Sequence, residues 1–266
     1  MLLVLDSKII GGMKKNKPVL IITGAIDIAK NVPFQTAVVK TTERLSQYIA
    51  CIEYAIQNYQ AIDNIIFAEN TGYEYDYSDI YLLAENFNKK LEIFSFIGST
   101  EKILQQGKGY GEGEILRYVL SHSTLYKESA SFIKLTGRLT VKNFDSVIES
   151  TSEGENYFIL QSLFRYFSGD SIATAFFKVN ANFFKKYLLE AYKEVDDKNN
   201  RMLENIYFEK VKDHSPRYFK YYPLIQGQSG SNGTQHNERG YLEIFKRKFL
   251  FRFSSVLQGW FLKKER

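Results

Sequence analysis

Four glycines alternate through Gly107-Lys108-Gly109-Tyr110-Gly111-Glu112-Gly113, just ahead of the apolar run that begins at Ile115. A helix start offers unpaired backbone N–H groups and the positive end of a dipole, which favour an anion, and Lys108 adds charge there. The cluster fits no standard phosphate fingerprint. Reading G-x-G-x-x-G from Gly107 or Gly109 puts Glu112 or Glu114 at the last position, and Lys108 is followed by Gly109 rather than by the Ser or Thr of a P-loop. A flexible surface turn is the competing reading. A second group is Lys134-Leu135-Thr136-Gly137-Arg138, which closes an apolar strand. Gly137 allows close backbone approach to a ligand, and Arg138 offers a permanent fork-shaped charge suited to diphosphate. The alternative is an ordinary strand-end arginine paired with a surface acid.

Glu204 and Glu209 are the carboxylates that could deprotonate a hydroxyl, although solvated helix-face acids are the commoner case. Arg44 stands one turn into the first expected helix, close to the mouth of the first strand. His122, His214 and His236 lack metal-ligand spacing, the chain has one cysteine, and no Asp-x-Asp occurs. A structural zinc site is therefore excluded. Glu112 and Glu114 are the nearest carboxylate pair, but acids at a helix start are favoured without any metal. Gly227-Gln228-Ser229-Gly230 lacks the spacing of a nucleophile elbow.

These residues must be positioned by a scaffold, and the apolar pattern supplies one. Residues 18–26, 65–68, 91–97 and 132–141 read as strands; 41–59, 79–88 and 113–121 read as helices. Their alternation predicts a mostly parallel sheet covered by helices, whose ligands sit beyond the carboxyl ends of the strands. Those ends carry Thr23-Gly24, Glu69-Asn70 and Thr136-Gly137-Arg138. Later, 171–180 reads as a strand, 182–194 and 202–211 as helices, and 214–236 as loop.

The chain of 266 residues is 44% hydrophobic and 15% aromatic, with a net charge of +5 and a single Cys51. Disorder, a disulfide scaffold and a polytopic membrane protein are excluded on composition. No targeting segment is visible, because Asp6 and Lys8 interrupt the apolar Met1–Leu5, and a cytoplasmic location is expected. The charge is uneven: residues 239–266 carry +6 and the rest of the chain carries −1. A near-neutral body argues against nucleic-acid binding, which needs many bases on one face. We divide the chain into a domain over 1–236 and a basic amphipathic helix over 237–266. In the latter, Leu242, Phe245, Phe249, Phe253, Val256 and Trp260 share one helical face. Such a face reads as a helix lying on a membrane surface, or as one packed on the domain or on a second subunit.

Taken in order, Thr41-x-x-Arg44-Leu45-x-x-Tyr48, Glu69-Asn70-Thr71-Gly72-Tyr73, the glycine cluster over 107–114 and the Lys134–Arg138 motif resemble bacterial capsule and O-antigen glycosyltransferases with a GT-A-like fold. The likeness spans roughly residues 18–235. It implies a nucleotide-sugar donor, UDP-linked, held by Thr23, Gly24, Arg44, Glu69, Asn70, Lys108, Gly109, Gly111, Gly113, Thr136, Gly137 and Arg138. It implies a catalytic base, with Glu204 first and Glu209 second in chain order. It further implies a lipid-linked glycan acceptor, reached from the inner face of the cell membrane through Phe245, Phe249, Phe253 and Trp260. Many such enzymes hold Mn2+ or Mg2+ on Asp-x-Asp. Here Thr136-x-Arg138 takes that place, so metal-independent transfer is expected, with Arg138 and Lys108 neutralising the diphosphate. A membrane-associated nucleotide-binding protein without transfer activity, and an oxidoreductase on a Rossmann-like sheet, are the competing classes.

Overall fold

The computed structural model describes residues 17–29, 31–33, 36–160 and 171–228. Nine strands occur among them: β1 (Val19–Gly24), β2 (Asn64–Glu69), β3 (Lys90–Ser95), β4 (Ser131–Thr136), β5 (Leu139–Val141), β6 (Tyr157–Leu160), β7 (Ile172–Asn180), β8 (Arg217–Tyr218) and β9 (Ile225–Gly227). The helices are α1 (Thr41–Asn58), α2 (Ser78–Asn86), α3 (Thr100–Gln106), α4 (Lys108–His122), α5 (Thr124–Lys127), α6 (Phe144–Glu149), α7 (Ala181–Tyr187) and α8 (Leu203–Val211). Short 3-10 turns lie at Ala191–Glu194, Asp197–Asn199 and Lys212–His214.

Seven strands form one sheet in the order β3-β2-β1-β4-β7-β6-β8. β3, β2, β1 and β4 are mutually parallel, β7 runs antiparallel to β4, and β6 runs antiparallel to β7. The expected class, a mostly parallel sheet covered by helices, is what the chain adopts. β5 and β9 pair separately as a small antiparallel ribbon. From β1 the chain winds outward to β2 and β3, then returns to place β4 on the other side of β1. That reversal makes the carboxyl ends of β1 and β4 a topological switch point, where the diverging connections leave a crevice.

Strand alternation divides the core into two layers. Leu20, Ile22, Ile65, Phe67, Ile133 and Leu135 face α1 and α2, where Tyr48, Ile52, Ala55, Ile56 and Ile80 meet them. Val19, Ile21, Ile66, Ala68 and Phe132 face the opposite layer, built from Ile115, Leu116 and Val119 of α4 and Leu203, Ile206 and Tyr207 of α8. On β4 the next residue after Phe132 on that second face is Lys134. A fully buried lysine thus stands where the pattern calls for an apolar residue.

Several sequence expectations shift in detail. The run 132–141 is two elements, because the chain turns at Gly137-Arg138 and β5 leaves the main sheet. α4 starts five residues earlier than expected, so the glycines at 109, 111 and 113 lie inside a helix. The helix expected over 182–194 ends at Tyr187 and resumes as a 3-10 turn. The loop expected over 214–236 contains β8 and β9. α3, α5, α6 and β6 are elements beyond those the sequence reading assigns. The proposed helix 237–266, with Phe245, Phe249, Phe253 and Trp260, lies outside the described residues, as does the loop beyond residue 228.

Candidate active site

The crevice at the switch point holds a cavity of about 420 Å³. Thr23-Gly24 from β1, Asn70-Thr71 after β2 and Thr136 at the end of β4 form its strand side. Lys108, Gly109, Gly111 and Glu112 of α4, with Glu204 at the start of α8, form the opposite wall. A volume in this range accommodates a small organic ligand of nucleotide size. Of the expected ligand-binding residues, the fold brings together Thr23, Gly24, Arg44, Asn70, Lys108, Gly109, Gly111 and Thr136, along with Glu204.

The wall is built around Lys134. Its Nζ, fully buried, lies 2.7 Å from Glu112 Oε1 and donates to Thr136 Oγ1 at 2.6 Å and to the Thr174 carbonyl at 2.7 Å. Two donated hydrogen bonds and one ion pair compensate the buried ammonium for its lost water. Burial pulls Lys134 below the ordinary lysine value, and the adjacent Glu112 carboxylate opposes that pull. Thr174, on β7, turns its hydroxyl to Glu204 and donates to Oε1 at 3.1 Å. The Glu204 carboxyl is pushed above the usual carboxylate range, first by burial and then by the charge on Glu112. Lys108 lies in the same wall and is lowered by burial, with Glu204, Asp197 and Glu112 opposing the effect.

The anion seat expected at the start of α4 is already taken. Asp197, buried in its 3-10 turn, accepts from the backbone N–H groups of Gly109 and Lys108, and burial raises its carboxyl. Gly107 adopts φ 113°, and a Cβ there would stand 2.0 Å from Asp197 Oδ2, so only glycine admits this cap. The helical glycines serve packing. Gly109 and Gly113, four residues apart and hence on one face, accept Leu203 and Tyr192. Gly111 turns the other way, toward Asn70, whose side-chain amide donates to its carbonyl at 3.4 Å. Gly113 does not line the cavity, because Tyr192 covers it.

The geometry gives the remaining candidates partners of their own. Arg44 borders the cavity, but its guanidinium is committed to the backbone: Nε to the Ala25 carbonyl at 2.6 Å and Nη1 to the Val38 carbonyl at 2.8 Å, with Nη2 on the Tyr48 hydroxyl at 3.1 Å. It therefore clamps the loop after β1. Arg138, in left-handed backbone at φ 71°, does not itself line the cavity: its guanidinium donates to Gln47 Oε1 at 3.2 Å and lies over the ring of Tyr48, which does. Gly137 is pressed against Tyr48, where a Cβ would lie 2.5 Å from the ring, and its N–H donates to the Thr23 carbonyl. Glu69, fully buried, spends its carboxylate on the Thr71 N–H and hydroxyl, the Tyr73 N–H and Ser95, shaping the turn after β2. Glu209 is exposed and ion-paired with Arg201 at 3.2 Å, on the outside of α8. Sequence reasoning gave no role to Lys134, Thr174 or Asp197, and read Glu112 only as a helix-start acid. The available signal was a lysine inside a strand whose neighbours all alternate apolar.

Among the described residues no three His, Cys, Asp or Glu side chains gather into a metal-binding group. Of the four acids that line the cavity, Glu112 is held by Lys134, Asp197 by helix N–H groups and Glu204 by Thr174, while Asp27 accepts from the Thr41 hydroxyl.

No protein-family model matches the chain, and no curated protein matches its sequence. Solved structures align with it loosely. Core-mannan synthase A from Aspergillus fumigatus, in a Mn/GDP form, aligns at 8% identity and TM-score 0.45 over 91% of this chain and 86% of that one. A protein designated a glucose-1-phosphate thymidylyltransferase from Bacillus anthracis, in complex with a sucrose, aligns at 12% identity and TM-score 0.44 over 88% and 95%. The mannosyltransferase Ktr4p of S. cerevisiae with GDP aligns at 11% identity and TM-score 0.41 over 79% and 72%.

Proposed function

We propose that this chain is a glycosyltransferase that moves a sugar, of hexose type, from a nucleotide-sugar donor to a hydroxyl of a growing surface polysaccharide. The observation that carries the reading is Glu204: a half-buried carboxyl, held above the usual carboxylate range, in the wall of a nucleotide-sized cavity at the switch point of a parallel sheet. A carboxyl raised toward neutral pH is better matched to taking a proton from an alcohol than a solvated one. In the proposed reaction the acceptor oxygen bonds to the anomeric carbon while that carbon's bond to the diphosphate oxygen breaks. The acceptor proton passes to Glu204, and the diphosphate leaves with the electron pair. Lys108, in the cavity wall, supplies positive charge to the phosphates. The donor is UDP-linked and the transfer metal-independent in this reading, with Lys108 in place of a cation.

The capsule or O-antigen setting, the lipid-linked acceptor and a peripheral position on the inner membrane face rest on the motif resemblance and on the basic, aromatic stretch 237–266. A thermal-shift panel of UDP, GDP, CMP, dTDP and NAD+, with EDTA and with Mn2+, tests the reading. A ligand at about 100 times its dissociation constant stabilises by ~2.7 kcal/mol, a rise of very roughly 5 °C for a domain of this size. One nucleoside diphosphate, UDP first, is expected to raise Tm equally with EDTA and with Mn2+. A shift only with Mn2+ removes metal independence, and a shift with NAD+ alone removes the transferase. Binding with neither transfer nor donor hydrolysis leaves a nucleotide-binding protein.

A further inference from the structure

Lys134 is costly where it stands. An ammonium at the centre of a sheet is stripped of water, and an apolar side chain would continue the alternation of β4 without that cost. Its neighbours show a directed arrangement. Nζ is fixed at 2.7 Å by Glu112 on α4 and at 2.7 Å by the carbonyl of Thr174 on β7. The hydroxyl of that same Thr174 points to Glu204 Oε1. Glu112 and Glu204 both line the cavity, yet they are bound differently: Glu112 by a full positive charge, Glu204 by a neutral hydroxyl.

Resting on the reading of Glu204 as base, we propose that Lys134, Glu112 and Thr174 are its positioning residues. The ammonium pairs with Glu112 and fixes Thr174, so that Glu204 is the wall carboxyl that takes up and releases the proton. Two acids sharing one buried cation cannot ionise with equal ease, and the one without the ion pair becomes the proton carrier. The charged and titratable groups bearing on Glu204 come from each element around it: Glu112 and Lys108 from α4, Lys134 from β4 and Tyr207 from α8 itself. Asp197 faces Lys108 from the neighbouring turn.

The test reads Glu204 directly and needs neither donor nor acceptor. The full chain is labelled with glutamate carrying 13C at the carboxyl, and its titration is followed by NMR, with Glu204→Gln assigning the signal. Glu112→Gln removes the repelling charge and is expected to lower the Glu204 midpoint. Thr174→Val removes the donated bond to the ionised form and is expected to raise it. Each shift is expected to be at least ~0.5 pH unit. Lys134→Met is expected to raise the midpoint as well where it folds; the two milder variants decide the question if it does not. Unmoved midpoints in folded Glu112→Gln and Thr174→Val overturn the proposal, because a purely structural cluster would change Tm alone. The two readings fail separately. A wild type that binds no nucleotide defeats the transferase while leaving the titration intact, and unmoved midpoints in a nucleotide-binding protein defeat only the cluster.

Discussion

In its proposed role, Glu204 would join catalysis to stability at the level of one side chain. Its carboxyl is held above the ordinary range, so the folded state binds the proton more tightly than the unfolded chain does. Stability is then greatest while Glu204 is protonated, and it falls as pH rises from the ordinary carboxylate value through the raised one. Glu204→Gln keeps the shape and removes the charge. Calorimetry is expected to show the variant with a higher Tm than wild type at pH 7, and the difference is expected to close below about pH 4, where the acid is protonated in both states. In the proposed role the same variant loses ~10²–10⁴-fold in turnover while still binding nucleotide. A gain in stability paired with a loss of turnover is the signature of a strained functional acid; a loss of both would make Glu204 a structural residue. The backbone-committed residues follow a different logic. Glu69 and Arg44 sit beside the site, and each spends its charge on the loops that frame it.

The element that most shapes the site is α4, and its glycines act opposite to ordinary helix propensity. A glycine inside a helix normally costs ~0.5–1 kcal/mol relative to alanine. At Gly113, however, an added Cβ would lie 2.0 Å from the Cβ of Tyr192, so the 3-10 turn Ala191–Glu194 would have to move off the helix. Gly113→Ala is therefore expected to destabilise by ~1–3 kcal/mol, read as a fall in urea midpoint. A stabilised variant would show that the turn yields freely. The close approach matters for the site because the segment after this turn brings Asp197 onto the start of α4 and Glu204 into the cavity wall. The helix start was legible in the sequence as a place for an anion. That the anion is the chain's own Asp197 was not, because the two are some ninety residues apart and nothing in either segment marks the other.

At the scale of the molecule, the charge distribution supports one further expectation. The body is near neutral while residues 239–266 carry +6. In the proposed peripheral role, each basic side chain near an anionic surface contributes ~1 kcal/mol, screened by salt. Replacing Lys246, Arg247 and Lys248 with Glu in the full chain is expected to cut co-sedimentation with vesicles rich in anionic lipid at least ~10-fold. Nucleotide-induced thermal shifts should stay unchanged. Equal sedimentation of wild type and variant would remove the membrane role.

The sequence by itself determined the class of fold and the position of the crevice. Short β-branched runs such as Val19–Ile22 and Ile65–Ala68 can be satisfied only as buried parallel strands, and the helical faces of 41–58 and 203–211 can only cover them. Local pattern suffices because backbone period and apolar burial act over neighbouring residues. The strand-end rule also placed Thr23, Asn70 and Thr136 near one another, whereas Lys108 was marked by the glycine cluster and Glu204 by chain order in the family resemblance. Tertiary structure alone decided which charges meet. Lys134 with Glu112, Thr174 with Glu204 and Asp197 with the start of α4 are pairings across 22, 30 and about ninety residues, set by sheet order and helix docking. The same packing turned Arg138 onto Gln47 and Tyr48 and Glu209 onto the outer surface. A charged side chain's role depends on what faces it, and that is a property of the assembled layers.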